Sequence, residues 1–512
     1  MKDRTPTKDQ PLRERLSLAS VLGPTRLIFS GFGYLVLYRI AANRDGIESL
    51  GAWSVIIALV TTIGLGEMGF ARVLTRAVST HVVGGGNATR IRRLFREIFT
   101  IQSIFVFLPA LIIIFFADQV SQYLGLSAKQ AHSMALQLTV TGVGLRMYST
   151  LFSSVTAGLG VIHYALIIEL FSTIMNFSAA FALLIFSPLD ALSSFACGHL
   201  GGSLVSFVAN LYLANRLAPG TISVVPCFRF VEIPSVLKES MGFAGVTFAG
   251  LIRNSVLPLF ISKFFGLDAA GILEVAYRPF AQLSNAGTSA FVPLLPHFAR
   301  REKEGDLLTS TRTTILFFTS SLALTSFAAI GIATAYNDIT LLWIGKHVER
   351  VQLFASLMAV YFVVGTLNGL CSQILQGIGL AVFSAKAAFL HLLLFLFGSV
   401  LFVVNDGNVS GVVGVYAFAS IPSLFIQLRK ILQRMRMGAS LILKPSLGVL
   451  LGALFLILVL HIVITAIPTP SLFRLFLMTI ISLGWLTLVL FRLIRAAGHK
   501  PYGLKEQPFR LS

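Results

Sequence analysis

The residues of this chain that could do chemistry are charged side chains set in long apolar runs. Arg146, Arg253 and Arg278 lie inside such runs, Arg26 and Lys386 open two others, and Glu67 and Glu169 are the acidic counterparts. A charge placed in hydrocarbon costs about 2.5–3.5 kcal/mol on insertion scales, so each must face protein or water. A guanidinium in that setting suits a phosphate, because its planar fork donates two parallel hydrogen bonds. Arg26, Arg146, Arg253 and Arg278 are therefore candidates to line a cationic, anion-binding cavity. Other readings stand beside this one. Arg278 follows Glu274 by four residues and would form a neutral helical pair. Arg26 and Lys386 would extend to the membrane surface, and Arg146 and Arg253 would pair with Glu67 or Glu169. Those two carboxyls, whose proton affinity depends on their surroundings, are candidates for coupling to H⁺ or Na⁺, or for helix–helix hydrogen bonds.

The remaining unusual residues read more plainly. Gly64, Gly66 and Gly69 follow each other closely in one apolar run and mark close packing or a bend, which would also serve gating. His199, His391 and His461 read as packed polar residues. Cys197, Cys227 and Cys371 have no disulfide or metal-ligand spacing. Phosphate-binding and dinucleotide loops and nucleophile elbows are missing. The expectation is a protein that is not an enzyme and holds no cofactor or metal.

The elements that position these side chains are long apolar segments. Of 512 residues 55% are hydrophobic and 12% charged, with mean hydropathy +0.84; a soluble chain would carry about a quarter charged residues. Fourteen segments are long enough to cross about 30 Å of hydrocarbon as helices: 20–42, 51–74, 97–117, 134–158, 165–187, 191–214, 243–265, 271–296, 313–336, 352–377, 384–404, 410–428, 446–467 and 472–493. The fold class expected is all-α integral membrane. The first apolar run lacks a small-residue cleavage site, so no cleaved leader is expected.

The net charge of +19 invites a nucleic-acid reading, but the basic residues come in bursts between apolar runs. With fourteen spans, 29 of the 40 Lys and Arg fall on one side. Seven fall on the other (Arg39, Arg44, Lys129, Lys263, Lys346, Arg350 and Arg474), and four lie within spans. This bias places both termini in the cytoplasm, with membrane lipid as the partner of the basic loops and no nucleic acid.

The chain repeats itself after about 220 residues. Thr156-Ala-Gly-Leu-Gly160 closes the fourth span as Leu375-Gln-Gly-Ile-Gly379 closes the tenth, and Gly46 and Gly51 match Gly266 and Gly271. Six spans per copy leave both copies in the same orientation, an arrangement in which transporters bind substrate between the halves. The charges are not repeated: Arg146 maps to Gly365, Arg253 to Gly33 or Tyr34, and Glu67 to Gly287. The organisation expected is a cytoplasmic segment (1–19), two six-helix lobes (20–216 and 243–434) joined by a cytoplasmic linker (217–242), helices 13 and 14 (435–496) and a cytoplasmic tail (497–512).

Gly51-Ala-Trp-Ser, Gly64-Leu-Gly-Glu-Met-Gly-Phe-Ala-Arg72, Ala270-Gly-Ile-Leu-Glu-Val-Ala-Tyr-Arg278 and Leu342-Trp-Ile-Gly345 resemble helix signatures of the multidrug/oligosaccharidyl-lipid/polysaccharide exporter superfamily. Within it the chain is most similar to the O-antigen and polysaccharide flippases. That resemblance implies two lobes in a V around a central cavity. The cargo it implies is a polyprenyl-diphosphate-linked oligosaccharide moved across a bacterial inner membrane, with polysaccharide polymerase and chain-length proteins as partners. The Arg-rich and Glu-Gly-rich stretch of peptidoglycan-precursor flippases is missing. The multidrug branch usually has twelve spans and few basic cavity residues. An ion-coupled exporter of small cations is the alternative on the same fold; a membrane glycosyltransferase or polymerase is the alternative outside it.

Overall fold

The computed structural model describes residues 12–67, 69–84, 88–126, 130–227, 230–231, 233–291, 294–405, 407–467 and 472–498, and every element among them is helical. α1 (Leu12–Arg44) leads into α2 (Ile47–Thr61). The expected second span is not one helix. α2 gives way to a 3₁₀ turn, Thr62–Glu67, and the chain resumes as α3 (Phe70–Gly84). Gly64 and Gly66 lie in the turn, where glycine gives a helix little support, and Gly69 adopts φ +74°, a left-handed conformation that other side chains resist.

α4 (Ala88–Phe115), α5 (Ala117–Tyr123), α6 (Gln130–Gly158), α7 (Ile162–Phe186) and α8 (Ala191–Leu217) complete the first repeat. The second runs through α9 (Ile233–Phe291), α10 (Leu294–Glu304), α11 (Leu307–Thr334), α12 (Tyr336–Ile344), α13 (Val351–Gly377), α14 (Ala381–Val404) and α15 (Val409–Arg434). α9 begins within the segment expected as linker and comprises two arms that meet at Gly266. α16 (Ser440–Ala466) and α17 (Leu472–Gly498) follow. Among the described residues helix makes up most of each of the fourteen expected segments, and ten helices are long and apolar enough to span a membrane.

The duplication recurs in the geometry. Gly46 has φ 85° and ψ 172°, and Gly266, 220 residues later, has φ 86° and ψ 173°. Short α5 corresponds to short α12, and each is followed by a left-handed glycine, Gly125 and Gly345. The halves meet where α2 crosses α9. A Cβ on Gly51 would come within 2.0 Å of the Leu267 carbonyl oxygen, and one on Gly271 within 2.2 Å of the Ile47 carbonyl oxygen. Ile47 and Leu267 are themselves 220 residues apart, so the contact is reciprocal, as across a two-fold axis. Within the repeats, a Cβ on Gly158 would strike the Thr75 carbonyl and one on Gly377 the Leu295 carbonyl, at 2.8 and 2.9 Å.

Polar contacts between the repeats gather at one face. Asn43 Nδ2 donates to the Ile344 carbonyl (3.1 Å), Lys346 Nζ to that of Ala42 (2.9 Å), Trp343 Nε1 to that of Leu35 (2.9 Å) and Lys263 Nζ to that of Tyr123 (3.1 Å). All four lie on the side of Gly46, Gly125, Gly266 and Gly345, away from the basic loops. On the opposite side Asp306 caps α11, and the Thr309 amide that it accepts holds its carboxyl below the ordinary value.

α16 and α17 pack on α11. Their anchor is a buried ion pair: Asp338 of α12 accepts Arg474 Nε at 2.5 Å and Nη2 alongside it, while Arg474 Nη1 donates to the Ile467 carbonyl. Arg474, assigned by the charge count to the sparsely charged side, is thus what fastens the last two helices to the second repeat. For the α2–α9 crossing, Gly51→Ala is expected to destabilise the protein by about 1–3 kcal/mol through overpacking. Gly448→Ala, with nothing within 4 Å of the new methyl, should leave the detergent-solubilised thermal midpoint unchanged or raised. Equal midpoints for the two variants would contradict the crossing.

Candidate functional site

α1, α6 and α7 bring Arg26, Arg146 and Glu169 together. Arg26 Nη1 lies 3.1 Å from Glu169 Oε2, and Arg146 Nη2 binds the same oxygen. The other oxygen, Oε1, accepts the Ser206 hydroxyl at 3.2 Å. Ser206 and Ser149 share a hydrogen bond, and Asn210 donates to Ser149 at 2.9 Å, so a seam of neutral polar groups between α6 and α8 holds the carboxylate in place. Two guanidiniums on one carboxylate leave one positive charge over. Both arginine side chains keep more than a third of their surface, 38% and 36%. His199, within electrostatic reach of Arg146, packs edge-on to Trp53 and has a buried Nε2 without a hydrogen-bond partner.

Arg278 belongs elsewhere. It pairs with Glu274 one turn earlier, and both bond to Tyr38 of α1: Tyr38 donates to Glu274 at 2.6 Å and Arg278 Nη2 donates to the Tyr38 oxygen at 2.6 Å. The guanidinium lies 4.1 Å above the Tyr34 ring, and Tyr38 stacks on Trp343. Of the two sequence readings of Arg278, the structure takes the pair, and it uses that pair to tie the repeats together. Glu67 ends the 3₁₀ turn, half-buried. Lys386 is exposed in the second turn of α14, where a long side chain can extend toward the helix end. The side chain of Arg253 lies outside the described residues.

A pocket adjoins the position in the second repeat that matches Glu169. Gly365 and Ala388 follow Arg146 and Glu169 by 219 residues, and Ala388 lines a cavity of about 190 Å³ together with Thr247, Asn368, Ser372, Gln376 and Gln427. None of its lining residues is charged. Asn368, Ser372 and Gln376 recur every four residues along one face of α13. Gln427 Nε2 donates to Asn368 Oδ1 (3.0 Å), Asn368 Nδ2 to the Ser420 carbonyl (3.1 Å) and Gln376 Nε2 to Ser372 (2.9 Å). Gln427 Oε1 is buried with no partner, a free acceptor. A search of the sequence for intramembrane charge passes over this pocket. The signal was there: amides in an apolar span need partners almost as charges do.

No protein-family model matches the chain, and no curated protein matches it by sequence. Solved structures do match. The lipid II flippase MurJ in an inward closed conformation superposes with TM-score 0.67 over 93% of this chain and 99% of its own, at 13% identity. A multidrug resistance MATE family transporter of the MOP superfamily, inward-facing, gives 0.58 over 81% and 98%, at 14% identity. The MATE transporter VcmN of Vibrio cholerae gives 0.54 over 83% and 99%, at 13% identity. The superfamily resemblance read from the helix signatures is therefore borne out as shared fold.

The two arginine sites differ in burial, and so should their mutational cost. Glu274→Ala removes a buried carboxylate and leaves the partly buried Arg278 guanidinium without its partner, at an expected cost of about 3 kcal/mol. Arg146→Ala, at a half-open position with Arg26 still on Glu169, should cost about 1 kcal/mol or less. Thermal midpoints of the two purified variants check the order, and a reversed order would contradict these assignments.

Proposed function

We propose that the protein is a flippase that moves a polyprenyl-diphosphate-linked oligosaccharide, an O-antigen or other surface polysaccharide repeat, across a bacterial inner membrane by alternating access. In this reading the chain spans the membrane fourteen times, with its basic loops and both termini in the cytoplasm. The two repeats form six-helix lobes in a V, and helices 13 and 14 are an addition to them. The observation that carries the reading is the surplus positive charge at Arg26, Arg146 and Glu169, set opposite an uncharged amide and hydroxyl pocket at the matching position of the second repeat. A diphosphate asks for the first and sugar hydroxyls for the second. The polyprenyl chain stays in lipid, so neither lobe has to bury it.

The cycle follows from the contacts. The Trp343–Leu35 and Lys346–Ala42 ties and the Tyr38–Glu274–Arg278 lock close the face away from the basic loops, so in this reading cargo enters from the cytoplasmic leaflet. Diphosphate bound at the arginines competes with Glu169 for the same guanidinium donors. The displaced carboxylate is the group that would take up H⁺ or Na⁺ and reset the site.

The second reading, export of small cationic compounds, draws on the likeness to MATE transporters. A net positive cluster repels such cargo, which is why it ranks second. In a strain lacking the chromosomal copy, Arg26→Gln/Arg146→Gln should be present in the membrane at the normal level. It should abolish surface polysaccharide while lipid-linked repeats accumulate in the inner leaflet. Normal polysaccharide in that variant, or drug hypersensitivity as the sole effect of deletion, would reject the flippase reading.

A further inference from the structure

The chain between the repeats does not hang free. After α8 it runs back across the first turns of α4. Arg96 Nε and Nη2 donate to the carbonyls of Val225 and Pro226, at 3.1 and 3.3 Å. The Cys227 amide donates to Thr100 Oγ1 at 2.8 Å, and the Val231 amide to Glu97 Oε1 at 3.1 Å. Between this segment and α4 lies a cavity of about 560 Å³ lined by Thr89, Arg92, Arg93, Arg96, Cys227 and Val231.

Three guanidiniums face this space, and no carboxylate is among its lining residues. Arg92 and Arg93 are exposed and make no hydrogen bond or ion pair with the described residues. Arg92 and Arg96 are four residues apart and Arg93 and Arg96 three, spacings at which like charges repel on a helix. Glu97, on the same turn, is wholly buried and bonded to the Val231 amide, so it does not enter the cavity. The lining adds the Thr89 hydroxyl, and the cavity lies by the first turns of α4, where the positive end of the helix dipole adds to the field. Such a site asks for an anion with several acceptor oxygens.

Two features say which anion. The arginines occupy the turns just before the apolar stretch 97–117, which is the depth of lipid phosphates. Val231 in the cavity lining, with Val224, Val225 and Phe230 on the same inter-repeat segment, is an exposed apolar side chain, and such a surface suits acyl chains and does nothing for a soluble phosphate. We propose that this cavity binds the phosphate headgroup of an anionic membrane lipid, which bridges α4 and the inter-repeat segment and so fixes the joint between the two halves. This inference rests on the membrane placement of α4 and is independent of what cargo is carried.

Cys227 supplies the readout, since it is half-buried in the cavity wall while Cys371 is fully buried. The full chain with Cys197→Ser would be placed in nanodiscs of phosphatidylethanolamine alone or with cardiolipin added. Maleimide labelling of Cys227 should slow in the cardiolipin discs, and native mass spectrometry should find cardiolipin retained. Arg92→Gln/Arg93→Gln should lose the protection, with retention falling about fivefold for each arginine removed. Arg429→Gln/Lys444→Gln, neutralising two exposed charges elsewhere on the basic side, should keep it. Equal labelling in both discs, equal loss in the control variant, or full protection by inorganic pyrophosphate in cardiolipin-free discs would each overturn the proposal.

Discussion

Two guanidiniums that share one carboxylate inside a bilayer leave a positive charge that the protein does not cancel. In low dielectric such a charge is expensive unless water or an anion reaches it, and Glu169 can answer only one of Arg26 and Arg146. The proposed function is built around that shortfall. The hydroxyl and amide seam of Ser149, Ser206 and Asn210 fixes the carboxylate. The partial exposure of both arginines leaves room for a second anion. In the proposed cycle, the polar ties on the far face leave the side of the basic loops as its entry.

The scaffold that carries the charge is symmetric and the charge is not. Gly51 on Leu267 and Gly271 on Ile47 form one contact seen twice, and Gly46 and Gly266 share one backbone conformation. Duplication reproduced the turns and close approaches because backbone geometry depends on them. It left the interior free to diverge. One half keeps Arg146 and Glu169 where the other has Gly365 and Ala388, and that second half is lined with amides instead. A cargo with a charged end and a neutral hydroxylated end would make use of that difference.

Much of this was legible in the residues, and the reasons differ by element. Helical segments were readable because lipid admits few alternatives, and the repeat because left-handed and close-packed positions demand glycine. Arg146 and Glu169 were visible as charges out of place. Arg26, the second guanidinium on Glu169, was harder to judge, because an arginine at a span's edge can reach water alone. The break at Thr62–Glu67 shows in its glycines, but an apolar run gives no other sign of losing its helix. Arg278 could be paired or free on sequence, and only the approach of Tyr38 from another helix decides it. The docking of α17 by Arg474 on Asp338 joins residues 136 positions apart, which no local pattern announces. The amide pocket of the second half went unread because its groups are uncharged.

The most direct measurement is the affinity of the purified protein for a short polyprenyl diphosphate, compared with that of Arg26→Gln/Arg146→Gln. A hydrogen bond to a charged group contributes about 1.5–3 kcal/mol, so the double variant should bind at least about tenfold more weakly, while Glu169→Gln should bind as tightly as the parent or more so. Undiminished affinity in the double variant, with the protein folded, would contradict the account.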